Sequence, residues 1–191
     1  MENKDIEYLN IFENKVQNEL LKLCTDYNML DGILLATDDI DDRWKEMAPE
    51  YVVDAVREIQ NYPEVSVSWA MYLGMAVAFG WDADWEKCAA TPYSAYYGSE
   101  GFDNMDDHIV RDILGMPLDG REAGETVDMV RRCGQTTISL IRLENIEPST
   151  PMAFHAFARA IKVMFRIGAS VQLRRMGYKF EKVNLPDNQY S

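Results

Sequence analysis

Between Trp81 and Phe102 the chain reads W-D-A-D-W-E-K-C-A-A-T-P-Y-S-A-Y-Y-G-S-E-G-F. Six of these 22 residues are aromatic, against 11% over the whole chain, and Asp82, Asp84, Glu86 and Glu100 are interleaved with them. Aromatic faces attract cations or stack on sugar rings, and neighbouring carboxylates supply charge and hydrogen-bond acceptors. Trp81, Asp82, Asp84, Trp85, Tyr93, Tyr96 and Tyr97 are therefore the candidate residues for binding a partner or ligand. Tyrosine and tryptophan are also the types enriched at protein-interface hot spots. The plainest alternative is a short helix over 83–90 whose rings complete a core. Core, interface and ligand pocket are all compatible with the pattern, and only the fold separates them.

Other groups capable of chemistry are sparse. His108 has Asp112 four residues on, and Asp107 stands in the same relation to Arg111, so both pairs suit one helix face. A metal reading of His108 would need a carboxylate from another helix. Di-iron bundles use two Glu-x-x-His elements, and this chain has none. His155 stands alone, and both histidines read as structural. Asp39, Asp41 and Glu50 fall at three positions of a calcium loop, but Arg43 and Trp44 break it where a ligand and a glycine belong. Cys24, Cys88 and Cys133 are odd in number and widely spaced, with no C-x-x-C, so no zinc site or disulfide framework is expected. No nucleophile elbow, zincin, dinucleotide-binding or P-loop motif occurs. Neither a catalytic residue nor a cofactor nor a metal is expected.

Charge is divided unevenly. Residues 1–148 hold 12 Lys/Arg against 30 Asp/Glu, whereas residues 149–191 hold 7 against 2. Arg159, Lys162 and Arg166 recur at helical spacing, and Arg174, Arg175, Lys179 and Lys182 extend the positive stripe. The stripe either clasps the acidic body or docks an anionic partner; pairing within the chain is the preferred reading. The overall −13 opposes a polyanion, and no base-reading module is signalled, so nucleic acid is disfavoured.

These residues must be positioned by helices. Leu9, Phe12, Val16, Leu20, Leu23, Tyr27, Leu30 and Leu34 form one apolar stripe, predicting a helix from about Ile6 to about Asp31. It packs in a bundle in preference to forming a coiled-coil arm. Thr37 caps a short acidic helix, and Pro49 opens another, with Tyr51, Val52, Ala55, Val56 and Ile59 as its apolar face. From Val65 to Trp81 seventeen residues carry no charge, which predicts a central helix buried on every side, beginning near Pro63. A helix capped by Asp103 and ended by Gly115 follows, then one over about 122–145. A last helix, capped by Thr150 with Pro151 in its first turn, runs to about Met176 through Phe154, Phe157, Ile161 and Phe165. Tyr178–Val183 alternates weakly like a strand, and 184–191 reads as a polar, frayed tail.

The expectation is thus an all-α single-domain bundle of about six helices spanning 1–191, around a central helix at 63–81. The central stretch is short for a membrane span and contains serines and glycines, so no membrane partner is expected. The amino terminus, Met1-Glu2-Asn3-Lys4-Asp5, has no signal-peptide pattern, which points to the cytoplasm. The functional expectation is an acidic interaction or regulatory protein that docks a protein partner. The alternative is a small-molecule binder or enzyme with a pocket between the central helix and 81–102.

Overall fold

A computed structural model describes residues 3–180, and every regular element among them is helical. Seven helices are numbered here: α1 (Asn3–Asp26), α2 (Asp38–Glu58), α3 (Pro63–Ala83), α4 (Trp85–Ala90), α5 (Met105–Asp107), α6 (Arg121–Leu143) and α7 (Pro151–Arg175). Short 3-10 turns occupy Tyr93–Tyr96 and Phe102–Asn104, and α5 continues as a π-helix over His108–Ile113. The all-α bundle around a central helix is as the sequence predicts.

The charge-free stretch becomes α3, whose residues from Ser66 to Ala78 are buried with the single exception of half-buried Trp69. Hydrogen bonds tie it to its surroundings: Tyr51 Oη donates to the Ser66 carbonyl (3.0 Å) and Trp69 Nε1 to the Phe102 carbonyl (2.8 Å). Its principal neighbour is α7, and the two backbones nearly touch. A Cβ at Gly74 would overlap the Phe165 carbonyl oxygen, and one at Gly168 would overlap that of Met71. Such proximity is open only to glycine, because any side chain would occupy the neighbouring main chain. α1 packs on the bundle through Leu9, Phe12, Val16 and Leu20, all buried, so its stripe serves the core of its own chain.

Three boundaries and one buried face differ from the sequence reading. α1 stops at Asp26 because Asn28 takes the left-handed conformation (φ 59°) and Met29 N–H turns back to the Cys24 carbonyl (2.7 Å), closing the end five residues earlier than periodicity suggests. The acidic helix and the helix assigned to Pro49 are one, since α2 runs through Pro49; the proline forfeits one backbone bond on an exposed face, and its buried neighbours Met47 and Tyr51 hold the helix together. Asp39, Asp41 and Glu50 consequently lie on a helix and form no calcium loop. Asp103 makes no capping bond; a 3-10 turn leads into the π-helix, whose end is marked by Leu114 N–H to the Ile109 carbonyl (2.8 Å). Phe154, placed by periodicity on the buried face of α7, is instead 48% exposed. Thr37 and Thr150 cap α2 and α7 as expected, accepting from Ile40 N–H and Ala153 N–H (3.2 Å each). Tyr178–Phe180 forms no strand, while 181–183 and the tail at 184–191 lie outside the described residues.

Gly74→Ala and Gly168→Ala are expected to destabilise the protein by about 1–3 kcal/mol or more, as overpacked substitutions do. Helix propensity alone would give the opposite sign, favouring alanine by about 1 kcal/mol. Urea unfolding of the two variants decides between these signs.

Candidate functional site

The aromatic segment divides into rings that build the core and rings at its margin. Tyr93 and Tyr96 are buried, and Tyr93 packs edge-on against Tyr51 (6.4 Å between centroids) and Tyr97 (5.3 Å). Trp81, Trp85 and Tyr97 are half-buried. Trp81 packs on Tyr178 (5.6 Å) and donates to Asp39 (3.3 Å), and Asp82 accepts from Tyr178 Oη (2.6 Å). Asp84 caps α4 by accepting from Lys87 N–H (3.1 Å). Two of the seven candidate residues, Tyr93 and Tyr96, are thus core rings, and most of the seven have partners within the chain.

Two devices fix this segment. Arg43, only 7% exposed, donates to Glu46 (2.7 Å) and to the Thr91 carbonyl, fastening α2 to the turn after α4. His108 holds Asp112 through Nδ1 (2.9 Å) and the Ala95 carbonyl through Nε2 (3.1 Å), while Arg111 grips the same Asp112. Arg111 above all, with His108 beside it, pulls the Asp112 carboxyl down to about 2. Asp107 is thus not the partner of Arg111 that helical spacing suggests.

Beside these lies a recess of about 420 Å³. Ala76, Phe79 and Gly80 of α3 form one wall, and Cys88, Thr91 and Tyr96 face them. Burial pushes the Cys88 thiol above its usual value, partly offset by Tyr96 and Arg43, which suits a packed thiol more than a nucleophile. Its closest polar neighbours are the Val77 carbonyl (3.6 Å) and Tyr96 Oη (3.9 Å), and neither histidine is among its bonded partners. Cys24 and Cys133 meet in the core at 3.6 Å as free thiols. Among the described residues no three His, Cys, Asp or Glu side chains gather as a metal site would require.

The basic stripe of α7 meets acids of its own chain. Arg159 and Lys162 (2.7 Å) both bind Glu13 on α1. Arg166 donates to Gln17 (3.2 Å) and lies 3.1 Å from Asp41, at an angle unsuited to a hydrogen bond. Arg174 grips Asp31 (2.7 Å), and Arg175 lies 3.5 Å from Glu122. Burial pushes the Glu13 carboxyl up, but hydrogen bonds and charge from Lys162 and Arg159 outweigh it and hold Glu13 below the usual glutamate value.

A wide opening among the described residues is one that the sequence reading missed. A groove of about 1240 Å³ runs between α2 and α7, with Ala48, Val52, Val53, Val56, Phe154 and Ala158 as its apolar lining. Asp38, Asp41, Asp42, Lys45, Lys162 and Arg166 line its other end. Val53 (55%), Phe154 (48%) and Val56 (42%) leave large apolar surfaces in water at its mouth. It continues past Val56 and Phe154 into two smaller hollows bounded by Ile59, Gln60, Ala153 and Phe157. The available signal was the adjacent pair Val52-Val53: successive helical positions point about 100° apart, so both cannot face one core. Compared with known protein families, with curated proteins and with solved structures, the chain matches none. No helix among the described residues is long and apolar enough to cross a membrane.

Tyr96→Ala is expected to cost about 3–5 kcal/mol, as for a buried aromatic, and Trp85→Ala and Tyr97→Ala clearly less; their urea midpoints test the division into core and margin. Glu13→Gln is expected to cost about 1.5–3 kcal/mol at neutral pH, the range for hydrogen bonds to charged groups. Because the folded Glu13 pKa is depressed, its contribution is complete above the unfolded value near 4.5 and fades as pH falls through the folded one. The difference in melting temperature between wild type and Glu13→Gln should therefore narrow on acidification from pH 7 to pH 3.

Proposed function

We propose that this chain is an interaction or regulatory protein whose α2/α7 groove receives an apolar segment of a protein partner. The observation that carries the reading is the row Val53, Val56 and Phe154, exposed together at the mouth of this groove. Exposed apolar surface gathered in a polar-rimmed groove marks interaction sites, whereas scattered single residues do not. A helix lying in an apolar groove is a recurrent mode of such docking. Work inside the cell, free of any membrane span, fits this reading and remains part of the proposal. The basic side chains of α7 take an internal role in it: Arg159, Lys162 and Arg166 hold α7 against α1 and α2, and an anionic partner would have to displace Glu13 and Asp41 to reach them.

A small-molecule reading has one observation in its favour, the 420 Å³ recess between α3 and the 84–96 segment, which falls in the usual size range of ligand sites. Asp84, Lys87 and Thr91 supply polar groups to its lining, but burial raises the Cys88 thiol above its usual value, which disfavours it as a nucleophile there.

Val53→Gln combined with Phe154→Gln is expected to change stability by no more than about 1 kcal/mol, because both sites are largely exposed. The same pair should abolish recovery of a stoichiometric protein partner on purification from the source cells, while Trp85→Ala retains it. Equal recovery with the groove variant, or a retained small molecule in place of a protein, would refute the proposal.

A further inference from the structure

Three sulfur atoms meet in the core between α1 and α6. Cys24 Sγ lies 3.6 Å from Cys133 Sγ and 3.7 Å from Met129 Sδ, and Cys133 Sγ lies 3.8 Å from the same Sδ. All three residues are buried. Met129 and Cys133 stand four positions apart, so they share one face of α6, and Cys24 meets them from α1. Helical bundles build metal sites in this way, from side chains of facing helices turned inward. The triangle is nearly equilateral, and an ion at its centre would lie about 2.1 Å from each sulfur, close to the metal–thiolate bond of about 2.3 Å.

The donors choose the ion. Two thiols and a thioether are soft ligands, which select Cu(I), whereas hard cations take oxygen. Zinc takes four donors in a tetrahedron. Among the described residues no third His, Cys, Asp or Glu joins the two thiols, so only the thioether completes the set. We propose that Cys24, Met129 and Cys133 form a three-sulfur site for a soft monovalent ion, Cu(I). On binding, two S–Cu bonds replace two S–H bonds and both protons leave to solvent, while Met129 donates a lone pair. The copper keeps its oxidation state, and the bound centre carries one negative charge. Arg132, next to Cys133, rests on the ring of Tyr27 (4.9 Å), so a cation joins α6 to the end of α1 at this level. Cys24 lies in the last turn of α1, and helix ends open more readily than their middles, which gives the ion a way in. The site is separate from the α2/α7 groove and does not depend on its docking role.

The reduced full-length chain is titrated without oxygen with Cu(I) held by bicinchoninate, a coloured chelator whose bleaching reports transfer. One Cu(I) should pass to each chain, with three sulfur neighbours at about 2.3 Å by X-ray absorption. Zn(II) offered at the same concentration should not be retained. Changes to outer partners alone cost about 10–100-fold in metal affinity, so Cys24→Ala and Cys133→Ala should each weaken Cu(I) binding about a hundredfold or more. Met129→Leu, which nearly conserves volume, should weaken it about tenfold and leave two sulfur neighbours. Cys88→Ala, outside the cluster, should change neither stoichiometry nor affinity. If an alanine variant fails to fold by circular dichroism, Met129→Leu and the sulfur count of the wild type carry the test. No transfer to the wild type, undiminished transfer to the Cys24 and Cys133 variants, or equal retention of Zn(II) would overturn the site. Two sulfur neighbours in the wild type, with Met129→Leu binding as tightly, would overturn it as well.

Discussion

Two carbonyl oxygens set the spacing at the centre of this bundle. Phe165 O on α7 occupies the space above Gly74, and Met71 O on α3 occupies the space above Gly168. Each helix thus supplies the glycine that admits the other's backbone, and the contact works only if both are kept. Close approach enlarges the dispersion contact between the two main chains and removes room for water, which is why α3 tolerates burial on nearly every side. A run of seventeen uncharged residues, most of them apolar, would otherwise be an aggregation hazard. With α7 against it, and with α1, α2 and α6 around the pair, it is a core.

That contact has a consequence for α2. Trp44 stacks on Phe165 at 4.8 Å and fills the space between α2 and α7 at one level. Further along, Ala48 and Ala158 are too small to fill it, while Val53 and Phe154 project outward, and the groove opens. The clasp formed by Arg159 and Lys162 on Glu13 holds α7 to α1 on the other side, so α7 has no freedom to close over α2. Charge acts here as a fastening. A cavity-filling rearrangement would have to break a half-buried ion triad or the glycine contact, and either loss exceeds what a few exposed methyl groups regain.

Much of this architecture is written in local pattern. The charge-free run from Val65 to Trp81, the stripe from Leu9 to Leu20, and the Thr37 and Thr150-Pro151 starts each identify a helix from short-range physics. The internal pairing of the basic stripe follows from the charge division between 1–148 and 149–191. Other features depend on partners distant in sequence. Gly74 and Gly168 lie 94 positions apart, and nothing local tells that they face one another. Tyr93 and Tyr97 share a residue type, yet one is core and the other marginal, because Tyr51 and Arg43 arrive from α2 to decide it. The groove was hardest to see, since exposed Phe154 obeys the same helical period as buried Phe157 and Ile161. Periodicity gives the face of a helix but not the width of the neighbour that covers it. Pro49 misled for a related reason: a proline breaks an isolated helix, whereas tertiary packing on both of its sides carries α2 through.

The central claim is that the surface between α2 and α7 is where another protein is held. Hydrogen–deuterium exchange, read by mass spectrometry on the free chain and on its complex purified from the source cells, addresses it most directly. The account predicts slower exchange in the complex for peptides covering Val52–Val56 and Phe154–Ala158, with Trp81–Phe102 unchanged. Protection confined to Trp81–Phe102, with both groove walls exchanging as in the free protein, would contradict it.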